Sequence, residues 1–179
     1  MNTKLEIEYK TLLKHNHASH LLSLGIFDFL GKQTNVYFDT SNLFFQLNRI
    51  VLRIRSKNDT FLFTAKIETQ DGLQEVEFPL ESNDFNNPTI LEFIKQYTGD
   101  HSFVKLGSTI TYRYVFNDDF GQWCLDFNVF RFSSDVELEY ELFEGFTDKK
   151  DHFLQQLKSW KIPYDPCSSK FIRMIADKN

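Results

Sequence analysis

Glu6-Ile7-Glu8-Tyr9-Lys10 is the stretch on which the fold is read. In an extended strand successive side chains point to opposite faces, so Glu6, Glu8 and Lys10 share one face and Leu5, Ile7 and Tyr9 the other. Two carboxylates on one rigid face offer oxygen ligands to a hard divalent cation. The lysine beyond them adds a fixed positive charge for an anion. The wet side of any amphipathic strand is charged as well, so this stretch decides nothing until the rest of the chain is read beside it.

The pattern recurs. Arg53 and Arg55 alternate with Leu52 and Ile54, and Lys66 shares the parity of Thr64 in Phe61-Leu62-Phe63-Thr64-Ala65-Lys66. Glu75 and Glu77 alternate with Val76 and Phe78. Arg113 stands between Tyr112 and Tyr114, and Asp126 between Leu125 and Phe127. Glu137 and Glu139 alternate with Val136, Leu138 and Tyr140. An open two-layer sheet with one face in water carries such a pattern. So does a closed antiparallel barrel whose charges line the lumen, with helices over parts of the outer wall.

Composition favours the barrel. The charges are short acids and arginines in repeated E-x-E and R-x-R pairs, where a solvated face would scatter Lys, Thr, Ser and Gln. The bases Lys10, Arg53, Arg55, Lys66, Arg113 and Lys170 nearly balance the acids Glu6, Glu8, Glu75, Glu77, Asp126, Glu137 and Glu139. Charges enclosed without partners are costly, so such a lumen is hydrated, cross-paired or filled by ligand.

In order, parity and spacing, these residues together with Ser169-Lys170 resemble the CYTH domain of the triphosphate tunnel metalloenzymes. Asn35-Val36-Tyr37-Phe38-Asp39-Thr40 is similar to a stretch that such proteins carry after their first helix. The resemblance runs over positions 4–170. It implies an α+β fold, an eight-stranded antiparallel β-barrel forming a tunnel, with helices packed on the outside. It also implies that the tunnel binds a triphosphate with Mg²⁺ or Mn²⁺. Where the family often has a glycine before its last E-x-E, this chain has Arg131 and Phe132, with the matched charged positions intact.

On that resemblance Lys10, Arg53, Arg55, Lys66, Arg113 and Lys170 bind the substrate, and Glu6, Glu8, Glu137, Glu139 and Asp126 are the metal ligands. Glu6, Glu8 and Lys10 are the catalytic group, while Glu75 and Glu77 bind metal or hold the arginines in place. The expected activity is a metal-dependent phosphohydrolase acting on inorganic triphosphate or on an organic one, such as a nucleoside or thiamine triphosphate. The alternatives are an adenylate cyclase forming cyclic AMP from ATP and a non-catalytic protein that holds triphosphate or polyphosphate. The full set of lumen acids favours hydrolysis, because a pure anion binder gains from having fewer carboxylates beside its ligand.

The 179 residues read as one domain over 1–179, with no linker or fixed-period repeat. A net charge of −5 argues against general nucleic-acid binding. An apolar leader and long apolar runs are lacking, so no membrane partner and a cytoplasmic location are expected. Cys124 and Cys167 form no C-x-x-C and read as free thiols, Cys124 on the lumen face by its parity with Asp126. His17 and His20 have no third ligand in view and read as a solvated helix face. P-loop, G-x-S-x-G, H-E-x-x-H and G-x-G-x-x-G motifs are absent, so the charged strands carry the whole functional case.

Strands are expected at 4–10, 33–39, 50–57, 60–68, 73–80, 106–117, 121–130 and 134–143. Asn58-Asp59 and Asp71-Gly72 read as hairpin turns. Helices are expected at 11–24, at 87–97 with Pro88 in the first turn, and at 147–160 capped by Thr147.

Overall fold

The computed structural model describes residues 2–70, 72–99 and 102–177. Its strands are β1 (Asn2–Glu6), β2 (Glu8–Leu13), β3 (Asp28–Thr40), β4 (Ile50–Lys57), β5 (Thr60–Thr69), β6 (Gly72–Leu80), β7 (Phe103–Asn117), β8 (Gly121–Val129) and β9 (Ser134–Leu142). They form one antiparallel sheet in the order β1-β6-β5-β4-β3-β7-β8-β9-β2. The two ends of that order, β1 and β2, are successive pieces of chain parted only by Ile7. The sheet therefore curls until its ends meet.

At that junction Lys4 lies opposite Glu75 on β6, Lys10 lies opposite Glu139 on β9, and Leu142 N–H donates to the Ile7 carbonyl at 2.9 Å. The single strand expected at 4–10 is thus two, and the expected eight strands become nine. The break follows from closure: one stretch cannot stay in register with both edges of a curled sheet without a bend where it passes from one to the other.

Five helices accompany the sheet among the described residues, α1 (His15–Ser23), α2 (Phe44–Leu47), α3 (Pro88–Ile94) and α4 (Lys150–Ser159) on its outer side and α5 (Lys170–Ala176) against its inner face. Three were expected. The first starts later than position 11, because Thr11, Leu12 and Leu13 pair with Leu138, Glu137 and Val136. The Thr11 hydroxyl also accepts the Asp165 N–H at 2.8 Å, which fixes it beneath that segment. Sheet pairing here outweighs the helical spacing of the leucines. α3 begins as read, with the Asn87 side chain accepting the Thr89 N–H and Pro88 in the first turn. α4 starts after Thr147, at a cap position held by Lys149.

The hairpin turn at Asn58 and Asp59 has φ of 47° and 60°, the left-handed pair that a two-residue turn requires. Gly72 follows a turn whose other residue, Asp71, lies outside the described residues.

Two apolar clusters cover the outer wall, and a third, around α5, lies on the inward face. Residues of α1 and α4 pack on Trp123, Leu125, Leu138 and Tyr140. Residues of α2 and α3 pack on Phe38, Leu52, Ile54, Phe63 and Phe78. α5 sets Phe171 and Met174 against Tyr37 and Phe130. A Cβ at Gly107 would stand 2.2 Å from the Met174 sulfur, so α5 lies directly on the β7 backbone there. Among the described residues no helix is long and apolar enough to cross a membrane.

Candidate functional site

With the apolar residues of each strand turned out to the helices, the alternate residues turn in and enclose a cavity of about 320 Å³. Glu6, Glu8, Lys10, Arg53, Arg55, Lys66, Arg113, Glu139 and Lys170 all line it. Asp126 and Glu137, fully buried, and Glu75 and Glu77 stand outside that lining. The inward face therefore carries two layers of charge, one at the cavity and one behind it.

The β7–β8–β9 wall is cross-paired. Arg113 grips Asp126 with two hydrogen bonds of 2.7 Å and also donates to Glu139 at 2.8 Å and Glu141 at 3.0 Å. The Lys170 ammonium lies 2.8 Å from Asp126, 2.6 Å from Glu137 and 2.9 Å from Glu139. It reaches them from the first residue of α5, whose N-cap Ser169 accepts the Ile172 N–H. Arg173, one turn on, contacts Glu137 at 2.9 Å and Asp135 at 2.8 Å.

Electrostatics follow this pairing. Burial opposes charge on Lys170, yet Asp126, Glu137 and Glu139 outweigh it and raise its pKa well above the ordinary value. Burial likewise works against ionised Glu139, but Lys170, Lys10 and Arg113 hold it well below the usual carboxylate range.

The β4 wall is different. Among the described residues Arg53 makes one ion pair, with Glu75 at 3.3 Å, and its buried Nε has no hydrogen-bond partner. Glu75 is also contacted by Lys4 at 2.9 Å and Lys66 at 3.7 Å. Burial opposes its charge, but Lys66, Arg53 and Lys4 pull its pKa down to about 2. Arg55 has the side-chain oxygen of Asn35 at 3.2 Å, and no carboxylate among the described residues lies within ion-pair distance of it. Burial, then repulsion from Arg53 and Arg113, lowers its pKa to about 10. These guanidiniums have donors to spare and face a cavity. Guanidiniums so placed suit an oxyanion.

A third feature is acidic. Glu6, Glu8 and Glu141 each bring a carboxylate oxygen within 4.8 Å of the others, at the cavity. Burial, with Glu8 and Glu75 adding and Lys66 opposing, raises the Glu6 pKa. Lys66 pairs with Glu6, and Lys10 with Glu8. Half-buried oxygen donors that crowd one another suit a hard divalent cation. Asp126, Glu137 and Glu139 form a second such group, fully buried, in which the Lys170 ammonium already supplies the positive charge. The set read from the sequence as one group of metal ligands is thus divided in space. The cysteines are free among the described residues, and Cys124 does face inward, its thiol pushed up by burial. No histidine belongs to either acidic group.

Several site residues escaped the sequence reading. Glu141 continues the alternation of Glu137 and Glu139 by one more step, a signal that was there to be used. Gln33 and Asn35 line the cavity from β3, and Arg173 gives no alternation to read because it lies on a helix.

The CYTH domain family model matches residues 4–165. A Bacillus subtilis (strain 168) protein named "Putative triphosphatase YjbK" is 26% identical, the match covering 99% of this chain and 98% of that one. A Bacillus halodurans protein described as a "putative adenylate cyclase" has a crystal structure that superposes with a TM-score of 0.80 at 26% identity, covering 97% of this chain and 98% of the other. A Hippeastrum protein, called an adenylyl cyclase with a dominant triphosphatase activity, shares the fold at a TM-score of 0.79 and 22% identity, covering 98% of this chain and 97% of that one.

Proposed function

Because the chain belongs to the CYTH domain family, we propose that it is a divalent-metal-dependent triphosphatase, releasing orthophosphate from a triphosphate compound held in its tunnel. The observation that carries this reading is the sparsely paired β4 wall: Arg55 has no carboxylate partner among the described residues, Arg53 shares Glu75 with two lysines, and both residues line the cavity. Cations so placed are stabilised by an anion of several oxygens, and a triphosphate offers that.

In this reading Arg53, Arg55 and Lys66 bind the non-bridging oxygens and fix the phosphate chain, facing Arg113, which Asp126, Glu139 and Glu141 hold in place. Glu6, Glu8 and Glu141 hold Mg²⁺ or Mn²⁺, with Glu139 beside them. When bound, the metal shields the substrate from these carboxylates and polarises the phosphoryl oxygens. Asp126 and Glu137 keep Lys170 in place and Glu75 keeps Arg53, with Glu77 behind it, so these acids support the binding groups. Lys10 is held protonated, since Glu139 and Glu8 outweigh its burial, and so donates hydrogen bonds rather than accepting a proton. Water attacks the terminal phosphorus, the anhydride P–O bond breaks, and the proton lost by water passes to a Glu6 or Glu8 oxygen. Orthophosphate and the shortened chain leave.

The test is release of orthophosphate, scored alongside cyclic nucleotide, with Mg²⁺ and after verified removal of metal. Glu8→Gln keeps the size of the side chain and should lower kcat roughly a hundredfold, with little change in the melting temperature of the free protein. Full turnover without metal would refute the proposal, and cyclic AMP as the main product from ATP would make the protein a cyclase.

A further inference from the structure

α5 stands between two cavities. Ser169 and its first residues line the charged one, beside Arg49 and Glu68, the exposed pair at that cavity's opening. At its other end Met174, Ile175 and the C-cap Asp177 line a second cavity of about 670 Å³, an open groove against the start of β7 and the end of β8.

The floor of that groove is aliphatic. Ile110 and Val129 lie opposite each other on β7 and β8, with Leu106 and Ile175 in the same lining. Val129 is 40% exposed, and neither it nor Ile110 belongs to any of the apolar clusters among the described residues. Packing within the chain does not account for them.

The rim is cationic. Lys105 and Arg131 are both exposed, and among the described residues neither has a carboxylate within ion-pair distance. The one acid of the lining, Asp177, is engaged: it accepts the Phe132 N–H at 2.8 Å and so fixes the turn that carries Arg131. The Arg131 guanidinium lies 4.8 Å from the centre of the Phe132 ring, which is 48% exposed. These two residues stand where the family often has a glycine, and a glycine would bring neither charge nor ring to the groove. An aliphatic floor beside two unpaired cations suits a ligand that has both parts, because apolar area gains by leaving water and an anionic head gains at the cations. A groove of this volume is of small-molecule size.

We propose that the groove is a second ligand site, for an organic anion with an aliphatic body. Its head meets Lys105 and Arg131, and its body lies on Ile110, Val129 and Phe132. Such a ligand touches the last turn of the helix whose first residue is Lys170.

The experiment is calorimetry on the full chain with octanoate and octyl phosphate, which have both parts, 1-octanol, which has the body alone, and acetate, which has the charge alone. At least one of the first two should bind more tightly than 1-octanol, and acetate should not bind. In the double variant Lys105→Gln with Arg131→Gln that affinity should fall about fivefold, while 1-octanol stays within about twofold of wild type. Phe132→Ser should weaken the anionic probe and 1-octanol alike, by about threefold. All three side chains are exposed, so the variants should fold. Absence of binding by both octanoate and octyl phosphate, or affinities unchanged in both variants, would overturn the proposal. Strict competition with inorganic triphosphate would overturn it too, by putting the probe in the tunnel. So would a dimer in sedimentation that Phe132→Ser breaks, since the groove would then belong to a second copy of the chain.

Discussion

The two walls of the lumen carry the same alternation of charge and come to opposite states. At the β7–β8–β9 wall Arg113 of β7 and Lys170, reaching in from α5, are saturated by Asp126, Glu137, Glu139 and Glu141. On β4, Arg53 shares Glu75 with two lysines, and Arg55 has only the amide of Asn35. A buried charge stabilises a fold only through its partners, so the first wall is part of the scaffold and the second is where the proposed anion would gain most. Alternation alone does not distinguish them. What does is the strand opposite: β8 and β9 face β7 with acids, whereas the β3 neighbours of Arg55 and Arg53 are Asn35 and Tyr37.

The strongest challenge to this contrast is Lys170→Met, which strands three buried carboxylates. It should cost about 3–5 kcal/mol of folding stability, measured by denaturant unfolding with an unchanged slope. Next, Arg55→Met should weaken triphosphate binding by about 1.5–3 kcal/mol, the worth of hydrogen bonds to a charged group, while the free protein keeps or gains stability. Calorimetry and unfolding on the same samples read both quantities. If Arg55→Met destabilises the free protein as much as Lys170→Met does, the two walls are alike and the contrast is lost.

A smaller effect sharpens the account of Glu75. Its folded pKa of about 2 lies below the ordinary 4.5, so its contribution is fully present above pH 4.5 and is lost as pH falls from there toward 2. The full shift is worth about 3 kcal/mol; with the Lys4 partner half in water the loss should be about 1–2 kcal/mol, and Glu75→Gln should flatten the acid limb of the stability curve over that window. The smallest effect is expected at the cavity opening, where Arg49 and Glu68 pair at 3.1 Å with both side chains mostly in water. Glu68→Gln should change stability by less than about 0.5 kcal/mol. A larger change would mean that the opening is held shut by this pair.

Most of the lining was legible, because a period of two is written directly in the order of residues and survives any curvature of the sheet. Arg53, Arg55, Lys66 and Arg113 needed nothing else. Ile7 was different: neither glycine nor proline marks the break there, since its cause is the meeting of two sheet edges distant in sequence. α2 was hidden for a related reason. Its first turn is held by Asp39, whose carboxylate accepts the N–H groups of Phe45 at 2.9 Å and Gln46 at 2.8 Å from outside the helix. α5 has its own start signal in Ser169, but a seven-residue helix offers too little periodicity to be recognised. The division of the acids into a paired and an available group was beyond reach, because it depends on where the Lys170 ammonium arrives.

The junction at Ile7 also sets an order of events while the chain is being made. The segment carrying Glu6, Glu8 and Lys10 leaves the ribosome before either of its partners exists, and β9, which pairs with Glu8 through Glu141, is the last strand to appear. Until then β1 can join β6, but the sheet stays open with β2 unpaired, a state rich in non-local contacts still to form and exposed to wrong pairings. The acidic trio of Glu6, Glu8 and Glu141 does not exist in that nascent form. A ribosome-bound chain stalled before β9 should therefore carry most of the barrel without the acidic trio, and the Lys170 ammonium of α5 arrives later still.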